Sequence, residues 1–178
     1  LLVPVNALIE STDNIDARVA ELTAHNCRAV KVKVGRSTPA RDIETVVRLR
    51  HILPPAIALR LDANRAWTFA EAEEFAQGIR HCAIEYIEEP LHDSNELPTF
   101  HEAVPSLPLA IDESARDLSI NDIRFTEHVA AVIIKPTVVG GTAKSLEIAR
   151  ICRLTGKKAV LGSAIESSLG LSMIAGMA

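Results

Sequence analysis

Ala29-Val30-Lys31-Val32-Lys33-Val34-Gly35 is a stretch in which valines alternate with two lysines. Successive side chains of a strand point to opposite faces, and β-branched valines favour an extended backbone, so a strand with both lysines on one face is predicted. In a parallel barrel the outer strand face is covered by helices, which would point the lysines inward. The alternative is an exposed edge strand whose lysines discourage aggregation.

The bulk composition bounds the class of protein. The chain has 178 residues, 48% of them hydrophobic, which is enough for one sizeable core and predicts a single domain over residues 1–178. A net charge of -4 without a basic run argues against a nucleic-acid partner. The absence of a membrane-length apolar run argues against a membrane partner, and three cysteines without metal or disulfide spacing favour a cytoplasmic location. Because the chain begins in an apolar strand and ends in an apolar helix, we expect it to be part of a larger protein.

Strand-like runs recur at similar intervals, and helix-like segments fill the gaps between them. The runs begin near Val3, Ala29, Ala56, Ala83, Leu107, Ala130 and Lys158. A repeated strand-helix unit predicts right-handed crossovers and a parallel sheet. The expected fold is therefore α/β, a TIM-like barrel of the modified (β/α)7β type in which about seven strands are present and the closing strand is missing.

Three helices have recognisable starts. Thr38 precedes a proline that suits the first helical position, Thr68 and Glu71 form a capping box, and Thr142 opens a third helix. The apolar residues expected to face the core are Ile43, Val46, Val47 and Leu53 in the first helix, Phe69, Ala72, Phe75, Ala76 and Ile79 in the second, and Leu146, Ala149 and Cys152 in the third.

Charged side chains cluster where the predicted strands end. In strand order they are Lys31 and Lys33; Arg60, Asp62 and Asn64; Glu88 and Glu89; Asp112 and Glu113; and Lys135. The carboxyl ends of barrel strands form one face, so we expect three carboxylates to converge there. Each pair would repel by about 4 kcal/mol at an effective dielectric constant near 20, which calls for a cation among them. Oxygen ligands without His or Cys favour Mg2+ over zinc.

This arrangement predicts proton abstraction next to a carboxylate. A divalent cation stabilises the enediolate that forms when a bound carboxylate loses its α-proton. Repulsion between Lys31 and Lys33 would lower the pKa of at least one of them and make it a plausible base. The partner expected from this chemistry is a small-molecule carboxylate substrate.

The motifs Lys31-Val-Lys33, Asp62-Ala-Asn64, Glu88-Glu89-Pro90, Asp112-Glu113-Ser114 and Lys135-Pro136 resemble the enolase superfamily, specifically the barrel domain of its muconate-lactonizing subgroup. The resemblance implies that Asp62, Glu88 and Asp112 bind Mg2+, with Mn2+ as a possible substitute. It also implies that Lys33 is the base, that Lys31 tunes it, and that Lys135 lies on the opposite side of the substrate. Glu89 and Glu113 would support the neighbouring metal ligands. The family's N-terminal α+β capping domain is not found in this chain, and the sequence does not settle the oligomeric state.

Two stretches resemble the o-succinylbenzoate synthase family in particular, Arg60 to Trp67 and Ser163 to Leu171. That family dehydrates 2-succinyl-6-hydroxy-2,4-cyclohexadiene-1-carboxylate in menaquinone biosynthesis. The resemblance implies a syn-dehydration in which Lys33 removes the α-proton and returns it to the departing hydroxyl, while Lys135 stays charged. The candidate substrate-binding residues are Arg60, Asn64, Ser163, Ser167, Ser168 and Gly170. For Ser167 and Ser168, helix capping is the simpler interpretation, and both roles can hold.

Other functions remain open at this point. A dipeptide epimerase, an N-acylamino acid racemase or a muconate cycloisomerase would use the same metal and lysines. A Schiff-base aldolase could use Lys135 as its nucleophile, but it leaves the three carboxylates unexplained. A binding or scaffold barrel with a vestigial site is the non-catalytic alternative.

Overall fold

The structure is a computed structural model that describes residues 4–9, 15–25, 27–116 and 119–178. The predicted strand start at Val3 lies outside these residues. The described chain divides into two compact units, one that ends at Pro108 and one that extends from Leu109 to Ala178. No helix of the described chain is long and apolar enough to cross a membrane.

The first unit alternates strands and helices. Its elements are β1 (Asn6–Ile9), α1 (Ile15–Ala24), β2 (Ala29–Lys33), α2 (Pro39–Ile52), β3 (Ala58–Asp62), α3 (Phe69–Gly78), β4 (Ile84–Glu88), a 3-10 turn (Ser94–Glu96) and α4 (Leu97–Ala103). Each strand pairs in parallel with the next along the chain. The register places Lys33 opposite Asp62 and Asp62 opposite Glu88, so these three residues end their strands at one level.

Strand β2 has one apolar and one polar face. Val30, Val32 and Val34 are at most 3% exposed, whereas Lys31 and Lys33 are half-buried. Because β1 and β3 pair with its two sides, β2 is not an edge strand. The predicted alternation of valines and lysines is therefore confirmed, and the alternative of an aggregation-blocking edge strand is wrong.

The second unit repeats the same pattern. Its elements are β5 (Leu109–Ile111), a 3-10 turn (Glu113–Arg116), α5 (Ile120–Phe125), β6 (Val129–Ile134), α6 (Pro136–Val139), α7 (Thr142–Leu154), β7 (Lys158–Leu161) and α8 (Ser168–Met177). β5 pairs in parallel with β6, and β6 with β7. Two parallel strands that follow each other in the chain need a crossover connection, which is usually a helix. Helices follow the strands here, as the sequence pattern predicts.

The helix starts agree closely with prediction. Pro39 is the first residue of α2, with Thr38 as its N-cap. The Thr68 hydroxyl accepts from the backbone N–H of Glu71, and the Glu71 carboxylate accepts from the backbone N–H of Thr68, which completes the capping box of α3. Two of the orphan N–H groups at this helix start are thereby satisfied.

The predicted buried face of α7 is partly wrong. Leu146 is 54% exposed, and the buried residues of this helix are Ser145, Ile148 and Cys152. Ser145 can be buried because its hydroxyl donates to the carbonyl oxygen of Gly141 at 2.8 Å. A similar correction applies to α2, where Val47 is 45% exposed.

Candidate active site

Two buried carboxylates lie at the ends of neighbouring strands in the first unit. Asp62 ends β3 and Glu88 ends β4, and each is 1% exposed. Both contact one ammonium group, since Lys31 Nζ lies 2.8 Å from Asp62 Oδ2 and 2.5 Å from Glu88 Oε2. Lys31 thus offsets the repulsion between two negative charges that are withdrawn from water.

The same contacts set the protonation of this cluster. Burial lowers the pKa of Lys31, but the attraction of Glu88 and Asp62 outweighs it and raises the pKa above its ordinary value. Burial raises the pKa of Asp62, but the ammonium groups of Lys31 and Lys33 hold that pKa below its ordinary value. The predicted lowering of the pKa of at least one of the two lysines is not found at Lys31, where the attraction of the two carboxylates dominates.

Lys33 is held by two oxygens at the end of β3. Its Nζ lies 2.7 Å from Asp62 Oδ2 and 2.5 Å from Asn64 Oδ1. Asn64 has a left-handed backbone, with φ of 45°, and its N–H donates to Asp62 Oδ1 at 3.1 Å. Asn64 therefore positions the lysine and the aspartate together, a contact that its predicted substrate role did not include.

The loops that follow β3 and β4 contact each other. The Arg65 N–H donates to the Glu89 carbonyl oxygen at 2.7 Å, and the Arg65 Nε donates to Glu89 Oε2 at 3.1 Å. Glu89 is fully buried, and both residues have left-handed φ angles, 59° for Arg65 and 40° for Glu89. Arg65 lies within the Arg60 to Trp67 motif, but the sequence pattern predicts no role for it. Its signal was a positive charge placed just after a ligand-bearing strand.

Arg60 lies on β3, two residues before Asp62, and its side chain contacts other residues of the first unit. Its Nε donates to the Glu85 carboxylate, another guanidinium nitrogen donates to the Asn6 side-chain oxygen, and its guanidinium carbon lies 5.1 Å from the ring centre of Tyr86. Burial raises the pKa of the Tyr86 phenol well above its ordinary value. The predicted substrate contact of Arg60 is untested, and the structure gives Arg60 a packing and charge-pairing role inside the first unit.

The loop after β2 is held by Asp42, a residue that the sequence pattern does not single out. Asp42, a buried residue of α2, accepts the N–H of Gly35 on its Oδ2 at 2.7 Å. Gly35 has φ of 76°, and a Cβ at this position would lie 2.4 Å from Ala66 Cβ. Only glycine fits here without strain, so the loop after Lys33 packs directly on the loop after β3.

In the second unit, Asp112 and Lys135 form an ion pair. Asp112 follows β5 and is 5% exposed, Lys135 follows β6, and Lys135 Nζ lies 2.5 Å from Asp112 Oδ2. A Cβ at Gly162, just after β7, would come within 3.4 Å of Lys135 Cγ. The lysine chain therefore passes close to the Gly162 backbone. Glu113 opens the 3-10 turn that follows Asp112.

The serine-rich segment after β7 has a clear structural role. Ser167 is the N-cap of α8, and its hydroxyl accepts from the N–H of Gly170 at 3.2 Å. Ser163 and Ser168 are exposed. Helix capping is thus confirmed for Ser167, while substrate contacts of Ser163, Ser167, Ser168 and Gly170 stay predictions. The segment is also tied to the end of β6, because Thr137 Oγ1 donates to Glu166 Oε1 at 2.6 Å.

The strand ends of the first unit carry donor groups for a divalent cation. Asp62 and Glu88 supply hard carboxylate oxygens from paired strand ends, which suits Mg2+. Within the described residues no group of three or more His, Cys, Asp or Glu side chains is gathered closely enough to hold a metal ion. Oδ2 of Asp62 and Oε2 of Glu88 are instead taken by lysine ammonium groups. The donor chemistry of these two carboxylates fits Mg2+, and Asp62 and Glu88 are the residues that would hold it.

Comparison with known proteins places the chain in a family. Residues 14–178 match the family described as enolase C-terminal domain-like. The o-succinylbenzoate synthase of Aliivibrio salmonicida is 37% identical over 169 residues, which make up 93% of this chain and 51% of that protein. The chain therefore spans about half the length of this relative.

Solved structures show the same fold. MenC from Desulfotalea psychrophila superposes with a TM-score of 0.85 at 24% identity, over 98% of this chain and 50% of that one. A dipeptide epimerase from Enterococcus faecalis gives a TM-score of 0.82 at 26% identity, over 97% of this chain and 51% of that one. The predicted α/β fold class, that of the enolase-superfamily barrel domains, is confirmed. The chain belongs to the enolase superfamily, in the family described as enolase C-terminal domain-like.

Proposed function

We propose that the protein carrying this chain is an o-succinylbenzoate synthase, a Mg2+-dependent carbon-oxygen lyase that acts in menaquinone biosynthesis. The observation that carries the proposal is the contact of Lys33 with Asp62 and Asn64 at the end of β3. It places an amine beside a carboxylate that suits a cation. The name of the A. salmonicida relative supplies the particular reaction.

In this proposal Asp62, Glu88 and Asp112 are the Mg2+ ligands. Bound Mg2+ would make the α-proton of a substrate carboxylate more acidic and stabilise the enediolate. Lys33, whose Nζ lies 2.7 Å from Asp62 Oδ2, would be the base that takes this proton. Lys31, which contacts both Asp62 and Glu88, would supply a positive charge beside Lys33.

Lys33 then acts first as a general base and afterwards as a general acid, with the same proton. It removes the α-proton, becomes an ammonium group, and donates that proton to the hydroxyl that departs from the same face as water. Atoms and charge balance, because the substrate loses one proton and one hydroxide. Lys135 remains an ammonium group in this proposal, and its pairing with Asp112 is consistent with a charged role. The cytoplasm is the proposed location, because the reaction belongs to intermediary metabolism.

The proposal is tested by two assays on the full-length protein in Mg2+. The first follows formation of the aromatic product optically, and the second follows exchange of the substrate α-proton with deuterium. We expect the unchanged protein to give both signals. Lys33→Ala should lose both by at least about a hundredfold, the lower range for loss of a general base.

Lys144→Ala is the matched control, because Lys144 lies on α7 and is not one of the residues assigned to the site. It should retain activity within about twofold, as is usual for a substitution remote from the chemistry. Exchange or epimerisation of a dipeptide without dehydration would move the assignment to the epimerase branch. Reductive trapping of substrate on Lys135 by borohydride would instead indicate Schiff-base chemistry.

A further inference from the structure

The strand ends that carry Asp62 and Glu88 are tied together twice. On one side Lys31 Nζ contacts both carboxylates. Beyond the strands, the Ala63 N–H donates to the Glu88 carbonyl oxygen at 3.1 Å, and the Arg65 N–H donates to the Glu89 carbonyl oxygen at 2.7 Å. The second tie thus extends the parallel pairing past the last strand residues.

Arg65 adds a side-chain contact to this main-chain contact. Its Nε lies 3.1 Å from Oε2 of Glu89, which is 0% exposed, while the Arg65 side chain is 35% exposed. A fully buried carboxylate is strongly disfavoured unless cations or donors face it, and the guanidinium meets that need. The Arg65 side chain therefore binds the Glu89 side chain, and the Arg65 backbone binds the Glu89 backbone.

The backbone at this contact is strained. Asn64, Arg65 and Glu89 have φ angles of 45°, 59° and 40°. Left-handed backbone at residues other than glycine persists only where the surroundings enforce it, and such residues concentrate at functional sites. Here the strained residues follow Asp62 and Glu88 directly or within three positions.

We propose that Arg65 is a positioning residue that acts through Glu89 to hold Asp62 and Glu88 in the arrangement that binds a divalent cation. This rests on the proposed function in one respect, the assignment of Asp62 and Glu88 as metal ligands. Arg65 does this through its contacts with the Glu89 side chain and backbone. It fixes the loop that leaves β3 against the loop that leaves β4, and the two ligands move with those loops.

The test measures binding of Mn2+ alone to the full-length protein by electron paramagnetic resonance of the free ion. We expect Arg65→Gln and Glu89→Gln each to weaken Mn2+ binding by about ten- to a hundredfold, the range typical of residues that support metal ligands. Arg65→Lys keeps the charge and should recover part of the affinity. Arg36→Gln is the matched control, because Arg36 is an exposed arginine in the loop after β2, and it should bind as the unchanged protein does.

The double variant Arg65→Gln/Glu89→Gln separates this role from a direct one. If Arg65 acts through Glu89, the double variant should bind Mn2+ no more weakly than the weaker single variant. Additive losses, or single variants within about twofold of the unchanged protein, would overturn the proposal. Circular dichroism checks that each variant is folded. Failure of Arg65→Gln, Arg65→Lys and Glu89→Gln all to fold would also overturn it, because the pair would then determine the fold and not the site.

Since the assay needs no substrate, its result is independent of the proposed dehydration. A protein that binds Mn2+, loses it in the variants and does not dehydrate the cyclohexadiene substrate would overturn the proposed reaction and leave the positioning role intact. If the unchanged protein dehydrates the substrate and Arg65→Gln binds Mn2+ as tightly as the unchanged protein, the positioning role would be overturned and the proposed reaction would stand. Absence of Mn2+ binding by the unchanged protein would overturn both.

Discussion

Lys31 Nζ contacts Glu88 Oε2 at 2.5 Å although their strands, β2 and β4, are separated by β3. The lysine reaches across the end of the intervening strand and contacts Asp62 on the way. One ammonium group therefore links three consecutive strands of the first unit. It occupies carboxylate oxygens that a divalent cation would otherwise share.

Replacement of this ammonium is expected to destabilise the protein. Lys31→Met keeps much of the aliphatic chain but leaves Asp62 and Glu88 as neighbouring buried charges, so the free energy of unfolding should fall by roughly 3–5 kcal/mol. Mg2+ should restore part of this loss, because the cation neutralises the same oxygens and binds only the folded state. Thermal unfolding with a chelator and with Mg2+ measures both effects.

Lys144→Met serves as the control for Lys31→Met, since it also replaces a lysine by methionine but on α7, outside the Lys31 ion pairs with Asp62 and Glu88. Its unfolding should change by less than about 0.5 kcal/mol, as for most surface substitutions, with no added response to Mg2+. Equal stability of the two variants would show that Lys31 does not offset repulsion between Asp62 and Glu88.

The loop after β2 provides a second prediction, for Gly35→Ala. The new methyl group would meet Ala66 Cβ at 2.4 Å, and the backbone would remain at φ of 76°. We expect left-handed strain of about 1–2 kcal/mol and a further cost of about 1–3 kcal/mol for overpacking. The measurement is the free energy of unfolding in urea.

Gly156→Ala separates the two costs. Gly156 has nearly the same φ, 72°, but nothing lies within 4 Å of its Cβ position. This variant should therefore lose about 1–2 kcal/mol from strain alone. If Gly35→Ala is no more destabilising than Gly156→Ala, the contact between the loops after β2 and β3 is not tight in solution.

Sequence reasoning predicted the strand ends well because two simple rules govern them. Alternation along β2 places Lys31 and Lys33 on one face, and parallel register places Lys33, Asp62 and Glu88 at one level. Neither rule reaches beyond the last strand residue. Asn64 departs from alternation through its φ of 45°, so its contact with Lys33 depends on loop geometry that the sequence pattern does not encode.

Side-chain contacts between residues that are far apart in the chain could not be predicted from the sequence either. Arg65 and Glu89 are 24 positions apart, and Asp42 binds Gly35 from a helix whose apolar residues alone were used to predict its buried face. A charged residue in a helix is expected at the surface unless a partner is known. Asp42 could be recognised as buried only after the loop that it binds was placed.

Asp42 leads to a prediction about pH. Burial raises the pKa of its carboxyl above the ordinary value of 3.8, and the hydrogen bond from Gly35 only partly opposes this. Between 3.8 and the raised value, the folded state binds more protons than the unfolded state, so stability due to Asp42 falls as pH rises through this window. Asp42→Asn removes this penalty while its amide oxygen still accepts from Gly35.

The difference in unfolding free energy between Asp42→Asn and the unchanged protein isolates this group from other carboxyls. It should shift in favour of the variant as pH rises above 3.8, and then stay constant once Asp42 is ionised in the folded state as well. Asp42→Ala is the control, because it also loses the hydrogen bond and should be about 1 kcal/mol less stable than Asp42→Asn. A difference that shifts the opposite way with pH would show that ionised Asp42 stabilises the fold.

The corrected face of α7 supplies the last prediction. Ile148 is fully buried and Leu146 is 54% exposed, although both are large aliphatic residues in one helix. Ile148→Ala should cost about 2–5 kcal/mol because it leaves a cavity, whereas Leu146→Ala should cost less than about 1 kcal/mol, since alanine has the higher helix propensity and little apolar contact is lost. Urea unfolding of the two variants compares the faces directly. The sequence pattern predicts that Leu146 faces the core, which would make Leu146→Ala the more destabilising substitution. If Leu146→Ala lowers the free energy of unfolding more than Ile148→Ala does, α7 has the orientation that the sequence predicted.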